Sequence, residues 1–138
     1  TGVSFCGLDL NRHGRGHFLR AAQEGIAFSF RYGIEIMKQM GMEPRVIRAG
    51  KANMFLSPVF SGTVATLSNA TIELYNTDGA LGAARGAAWG AGLYLSREAC
   101  FSGLELVQTQ EPKPSWKDPL EEAYLQWKNQ LETILSNI

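Results

Sequence analysis

His13 and His17 stand four residues apart with Asp9 just upstream, a spacing that invites a metal-ligand reading. No third strong ligand is placed with them, and Arg12, Arg15 and Arg20 crowd the same stretch, so their charges would oppose a divalent ion. Helix capping or loop anchoring is the better role for both rings. Arg20 and Glu24, at i and i+4, fit a surface ion pair. Asp9, Asp78 and Asp118 are the only aspartates, and each sits where a turn or cap would use it. The sequence therefore offers no convincing general base, nucleophilic triad or catalytic residue, and no metal site.

The glycines also fail as phosphate cradles. Neither G-x-G-x-x-G after a strand nor G-x-x-x-x-G-K-[ST] occurs. More informative is "RVIRAGKAN" (residues 45–53), a short β-forming run that ends in Ala49-Gly50 and passes through Lys51 and Ala52 to Asn53. A strand feeding a helix this way exposes main chain at the carboxyl end of a parallel strand, where α/β sheets bind ligands. Alanine and glycine leave room for a flat ring or a ribose to approach, and Asn53 could cap the helix and reach a base edge. An ordinary strand-to-helix turn is the alternative.

Positioning these residues requires an α/β frame. A short strand is expected around Val3 to Phe5, then a helix from about Phe18 to Met40 with Phe18, Ala22, Gly25, Ser29, Tyr32 and Ile36 on one stripe. Gly41 and Pro44 stop it. The Arg45–Gly50 strand follows, then a helix over residues 53–66 with Pro58 near its first turn, then a strand over Thr71–Asn76. "DGALGAARGAAWGAG" (residues 78–92) reads as a third helix running to about Leu95, its Gly82, Gly86 and Gly90 drifting along one face so that the backbone packs flush on a neighbour. A proline-broken connection leads to an amphipathic helix over residues 118–136, with Asp118 as cap and Leu120, Tyr124, Trp127, Leu131 and Leu135 as its apolar face. Strands alternating with helices argue for parallel pairing. Two strands make a small sheet, so the first would keep an unpaired edge, and self-association through that edge is an expectation.

Composition narrows the class. The chain has 138 residues with 13 basic and 13 acidic side chains, which argues against a nucleic-acid or membrane-surface binder. Cys6 and Cys100 are far apart and lack metal spacing, consistent with two reduced thiols in a cytoplasmic protein. No apolar run approaches the roughly 20 residues that cross a bilayer, and the first residues lack a secretory leader pattern.

Four stretches in order resemble the FGGY carbohydrate kinases. "RGHFLRAAQEGIAFSFR" (residues 15–31) is similar to the family's R-x-H-x-x-R-A-x-x-E-G helix, and "IRAGKANMFL" (residues 47–56) to its Gly-Gly-Gly-Ala-x-Ser adenosine segment. "DGALGAARGAAWGAG" resembles the A-x-x-G-A-A-x-x-A helix, and "QEPKP" with "AYLQWKNQL" the closing E-P-x-P linker and tyrosine-bearing helix. The resemblance spans about Phe5 to Leu135, with pentulose kinases placed before glycerol-kinase-like members. It implies a partial actin-like, ribonuclease-H-like ATPase domain of α/β class, with parallel strands and packed helices. Residues 1–138 would be the distal part of the C-terminal domain of a kinase that moves the ATP γ-phosphate to a sugar hydroxyl with magnesium. The family's catalytic aspartate, phosphate hairpin and most sugar contacts would precede this stretch. What would remain here is the adenosine wall, Ala49, Gly50, Lys51 and Asn53, with the helix start at Asp78 and Gly79 near the nucleotide. Arg48 and Ala49 stand where the motif has glycines, and Asn53 where it has serine. A stand-alone, non-enzymatic α/β interaction module is the alternative from another class.

Overall fold

In the computed structural model, which describes residues 2–136, the frame is a three-stranded sheet in the order β1-β2-β3, covered by helices. The first helix, α1 (Arg15–Gln39), ends as expected at Met40, with Gly41 in the left-handed region that glycine favours. β1 (Val46–Gly50) pairs in parallel with β2 (Thr71–Tyr75), Ile47 facing Ile72 and Ala49 facing Leu74 in register. Between them runs α2 (Pro58–Ser68), with Pro58 in its first turn, where a missing N–H costs nothing. α3 (Gly79–Gly90), the short α4 (Arg97–Phe101), β3 (Leu106–Gln110) and α5 (Lys117–Leu135) complete the order.

α2 is the hub. Every residue from Phe60 to Ser68 is buried, because β2 lies on one side and α1, α5 and the Pro114–Trp116 turn close the others. Ser61, Thr66 and Ser68 satisfy their hydroxyls on carbonyls of their own helix, Ser57, Gly62 and Val64, at 3.0, 2.7 and 2.7 Å. A side chain at Gly62 would come within 3.1 Å of the Trp116 ring, so glycine sets the approach of the closing turn. One core cluster joins Ala27, Phe60, Val64, Ala65, Ile72 and Leu74; a second joins Phe28, Leu67, Leu120 and Tyr124, with Trp127 against it.

Several expectations are corrected. Val3 to Phe5 form no strand. The sheet is mixed, because β3, a strand not expected from the sequence, adds antiparallel to β2 with a register break between Leu74 and Tyr75. Its residues Leu106–Gln110 are half or fully exposed, so they carry none of the apolar alternation that marks a half-buried strand. α1 buries Ala27, Phe28 and Ile34, whereas Ser29 and Ile36 of the expected stripe are exposed. The reason is that polar groups with partners occupy the inner face. Gln23 takes the Ser57 hydroxyl, Arg31 donates to the Leu67 carbonyl, and Glu35 meets Arg31 at 3.3 Å and Lys128 at 3.0 Å. The expected helix over residues 53–66 is broken into a 3-10 turn (Asn53–Leu56) and α2. α5 starts one residue early, so Asp118 lies in its first turn and does not cap it; Leu120 and Tyr124 are buried, and Leu135 is exposed. α3 ends at Gly90, buries no residue, and a Cβ on Gly82, Gly86 or Gly90 would meet nothing within 4 Å. Within this chain those glycines therefore pack against no neighbour; α3 contacts chiefly α4.

The Glu35 network ties α1 to α5 and carries a pH dependence. Burial alone would raise the Glu35 carboxyl, but Lys128 as a hydrogen-bond donor, the nearby Tyr124 hydroxyl, and the charges of Lys128 and Arg31 hold it below its ordinary value of 4.5. Burial first, then the Glu35 carboxylate, pushes the Tyr124 phenol up. A carboxyl depressed by folding stabilises the native state above its unfolded pKa, and that contribution is lost as pH falls through the lower folded pKa. Urea midpoints should therefore decline below about pH 4.5, and Glu35→Gln should flatten that decline and lower stability at pH 7. A Glu35→Gln profile parallel to wild type would show that other carboxyls carry the slope.

Candidate functional site

Both parallel strands end at one place. After Gly50 the chain reverses through an Ala52 N–H donating to the Gly50 carbonyl (2.8 Å), and after Tyr75 through a Thr77 N–H donating to the Tyr75 carbonyl (2.8 Å). The Lys51 N–H extends the ladder to the Tyr75 carbonyl at 2.8 Å. The two turns then cross. A Cβ at Gly50 would lie 2.3 Å from the Thr77 oxygen and 3.1 Å from the Asp78 Cα. Gly50 is therefore required for close contact between two backbones.

Asn53 follows with φ +52°, a left-handed conformation that asparagine tolerates better than most residues. It opens the 3-10 turn and leaves capping of α2 to Ser57, whose hydroxyl accepts from the Phe60 N–H at 3.4 Å. This corrects the capping role expected for Asn53. Asp78 caps α3: its Oδ1 accepts the Leu81 N–H at 2.8 Å.

These turns shape two clefts. The first, about 320 Å³, is bounded by Ala49, Gly50, Asn53 and Asp78 and backed by an apolar wall that includes Phe30 and Phe55. Phe30, Phe55 and Phe60 meet edge to face, with centroids 5.2 to 6.4 Å apart. The second, about 470 Å³, is more polar, with Lys51, Asn76, Thr77 and Asp78 on its rim. The structure thus brings Ala49, Gly50 and Asn53 to one cleft and turns Lys51 to the other, with Gly79 beside the first. The aromatic wall was missed from sequence. Its signal was Ile26 and Phe30, apolar at i and i+4 on α1 and both still substantially exposed.

On the sheet face opposite α2, Arg48 pairs with Glu73 across the parallel strands at 2.9 Å and the Tyr75 hydroxyl donates to the same carboxylate at 2.8 Å. The bonds from Arg48 and then Tyr75 hold Glu73 below the ordinary carboxylate range. Arg48 is thereby committed along the strand and does not line either cleft. His13 and His17 do anchor their loop: each Nδ1 accepts a backbone N–H, from Asp9 at 3.0 Å and Gly14 at 3.1 Å. Arg20 and Glu24 form their ion pair at 2.7 Å. Cys6 is exposed and Cys100 buried, both as free thiols. Among the described residues no group of three or more His, Cys, Asp or Glu gathers to hold a metal, and no helix is long and apolar enough to cross a membrane.

No family model matches the chain. The xylulose kinase of Bacillus subtilis (strain 168) is 34% identical over 98 residues, which cover 70% of this chain and 19% of that relative. The chain thus spans about a fifth of the curated relative it matches. Among solved structures, xylulose kinase from Rhodospirillum rubrum is similar with a TM-score of 0.75 and 26% identity, over 96% of this chain and 27% of its own. A xyloylose kinase from Brucella ovis gives a TM-score of 0.78 and 25% identity, over 98% of this chain and 28% of its own.

Proposed function

We propose, from the premise that this chain is a homologue of the xylulose kinases, that it forms the adenosine-side wall of the ATP site in a kinase that phosphorylates a sugar hydroxyl. Residues 1–138 would then be the distal part of the C-terminal domain of an actin-like ATPase fold. The observation that carries the reading is the cleft at the carboxyl ends of β1 and β2, which gathers Ala49, Gly50 and Asn53 against an aromatic wall. That end of a parallel pair is where α/β sheets take ligands, and a cleft of about 320 Å³ with few polar groups suits a flat, weakly polar ring system.

The chain's own residues would bind and orient. Phe30 and Phe55 exclude water from one side of the ring, and main chain at Ala49 and Gly50 bounds another. Lys51 supplies a positive charge on the adjoining polar rim. ATP would bring the transferable γ-phosphoryl group, and the groups that act on it, with any magnesium ligands and sugar contacts, would lie in other parts of the kinase. Phosphoryl transfer depends on positioning and electrostatics, so the wall alone should be inert.

Titration of the 138-residue chain with ATP, followed by amide chemical shifts, should perturb residues 49–53 and 78–79 while ATP-dependent phosphorylation of xylulose stays at background. Turnover by this chain, or shifts confined to other regions, would overturn the reading. Self-association is a second proposal, supported by the position of β1 at the sheet edge with Val46 half-exposed; light scattering that shows a monomer at every concentration would end it.

A further inference from the structure

Among the described residues, Asp78 is the only ionisable side chain that lines the first cleft and the only acidic one on the second, so it stands on the wall between them. Its place is fixed twice. The Leu81 N–H holds Oδ1 at 2.8 Å, and the Asp78 Cα passes close to Gly50, 3.1 Å from where a Cβ on that glycine would stand. The second carboxylate oxygen has no hydrogen-bond partner among the described residues, and Asp78 is exposed to the cleft openings. An acceptor-only oxygen of this kind takes hydrogen bonds from hydroxyl or amine donors and repels anions.

The cap has a further effect. The amino end of α3 would attract phosphate if it were free, but Asp78 already supplies the negative charge there. The wall between the clefts is therefore closed to the charged end of a nucleotide and open to its neutral, hydroxyl-bearing part. We infer that Asp78 is a ligand-binding residue whose free carboxylate oxygen accepts from the vicinal hydroxyls of a ribose, with the attached base against the aromatic wall.

This inference rests on the adenosine-side reading, and the test separates the two. Asp78→Ser keeps a good helix cap and removes the second oxygen. Calorimetric titration of the 138-residue chain with adenosine and with 2′,3′-dideoxyadenosine should show a preference for adenosine of about tenfold in wild type. In Asp78→Ser the preference should collapse towards unity, with dideoxyadenosine affinity and the thermal unfolding midpoint unchanged. A preference that survives in Asp78→Ser, or no preference in wild type, overturns the role of Asp78 and leaves the adenosine wall standing. Failure of wild type to bind either nucleoside overturns both.

Discussion

Gly50→Ala should destabilise the chain by about 1–3 kcal/mol, the usual cost of forcing extra atoms into a filled space. The added methyl would meet the Thr77 carbonyl at 2.3 Å and 2.9 Å from its oxygen and carbon, and neither is the flexible end of a side chain that can swing away. Relief requires the two strand-end turns to separate, which would lengthen the bond from the Lys51 N–H to the Tyr75 carbonyl and reshape both clefts. Gly86→Ala is the matching control. Nothing lies within 4 Å of that position, and it is interior to α3, so alanine should stabilise by about 0.5–1 kcal/mol through helix propensity. Urea unfolding of both variants checks the pair. Equal effects of the same sign would refute the assignment of Gly50 to a backbone crossing.

Phe60→Ala should destabilise the chain by about 3–5 kcal/mol. Phe60 is 1% exposed, belongs to the core cluster with Ile72 and Leu74, and holds Phe30 and Phe55 edge to face from beneath. Its ring is both core and floor of the first cleft, so the loss should appear in two readouts. The thermal midpoint should fall, and adenosine affinity should fall with it at temperatures where the variant remains folded. A stable variant with intact structure would mean that α2 collapses into the vacated volume. Phe60→Leu, which keeps most of the volume, should recover much of the stability and less of the aromatic contact.

The elements most legible in the sequence were those whose burial follows simple periodicity or whose ends carry strong punctuation. β2 alternates cleanly between buried Ile72 and Leu74 and the more accessible Thr71, Glu73 and Tyr75, and α3 begins at its Asp78-Gly79 signal. The parallel pairing of β1 and β2 followed from the helix between them. β3 was hidden because an edge strand with Gln108, Thr109 and Gln110 carries no hydrophobic period. The inner face of α1 was misread because Gln23, Arg31 and Glu35 are polar and yet face inward, each with a partner on α2 or α5 or within α1. At the site, the strand-end residues were found by their position before a turn. The aromatic wall was not, since Phe30 and Phe60 are 30 residues apart and only the packing of α1 on α2 brings them together. Nor could spacing reveal that Gly50 serves a crossing, which depends on where Thr77 passes in space.

The contrast between α2 and α3 has a consequence for how the cleft responds to occupancy. α2 is buried on all sides, so its amides should exchange with solvent only when the whole domain opens; α3 buries no residue and can fray by itself. The first cleft has one wall on each: Phe60 belongs to the slow-exchanging nucleus and Asp78 to a helix near the lowest rung of local stability. Free energy released by a bound ring system would thus be spent mainly on quieting α3, and the thermodynamic signature of binding would be a loss of conformational entropy concentrated in that helix.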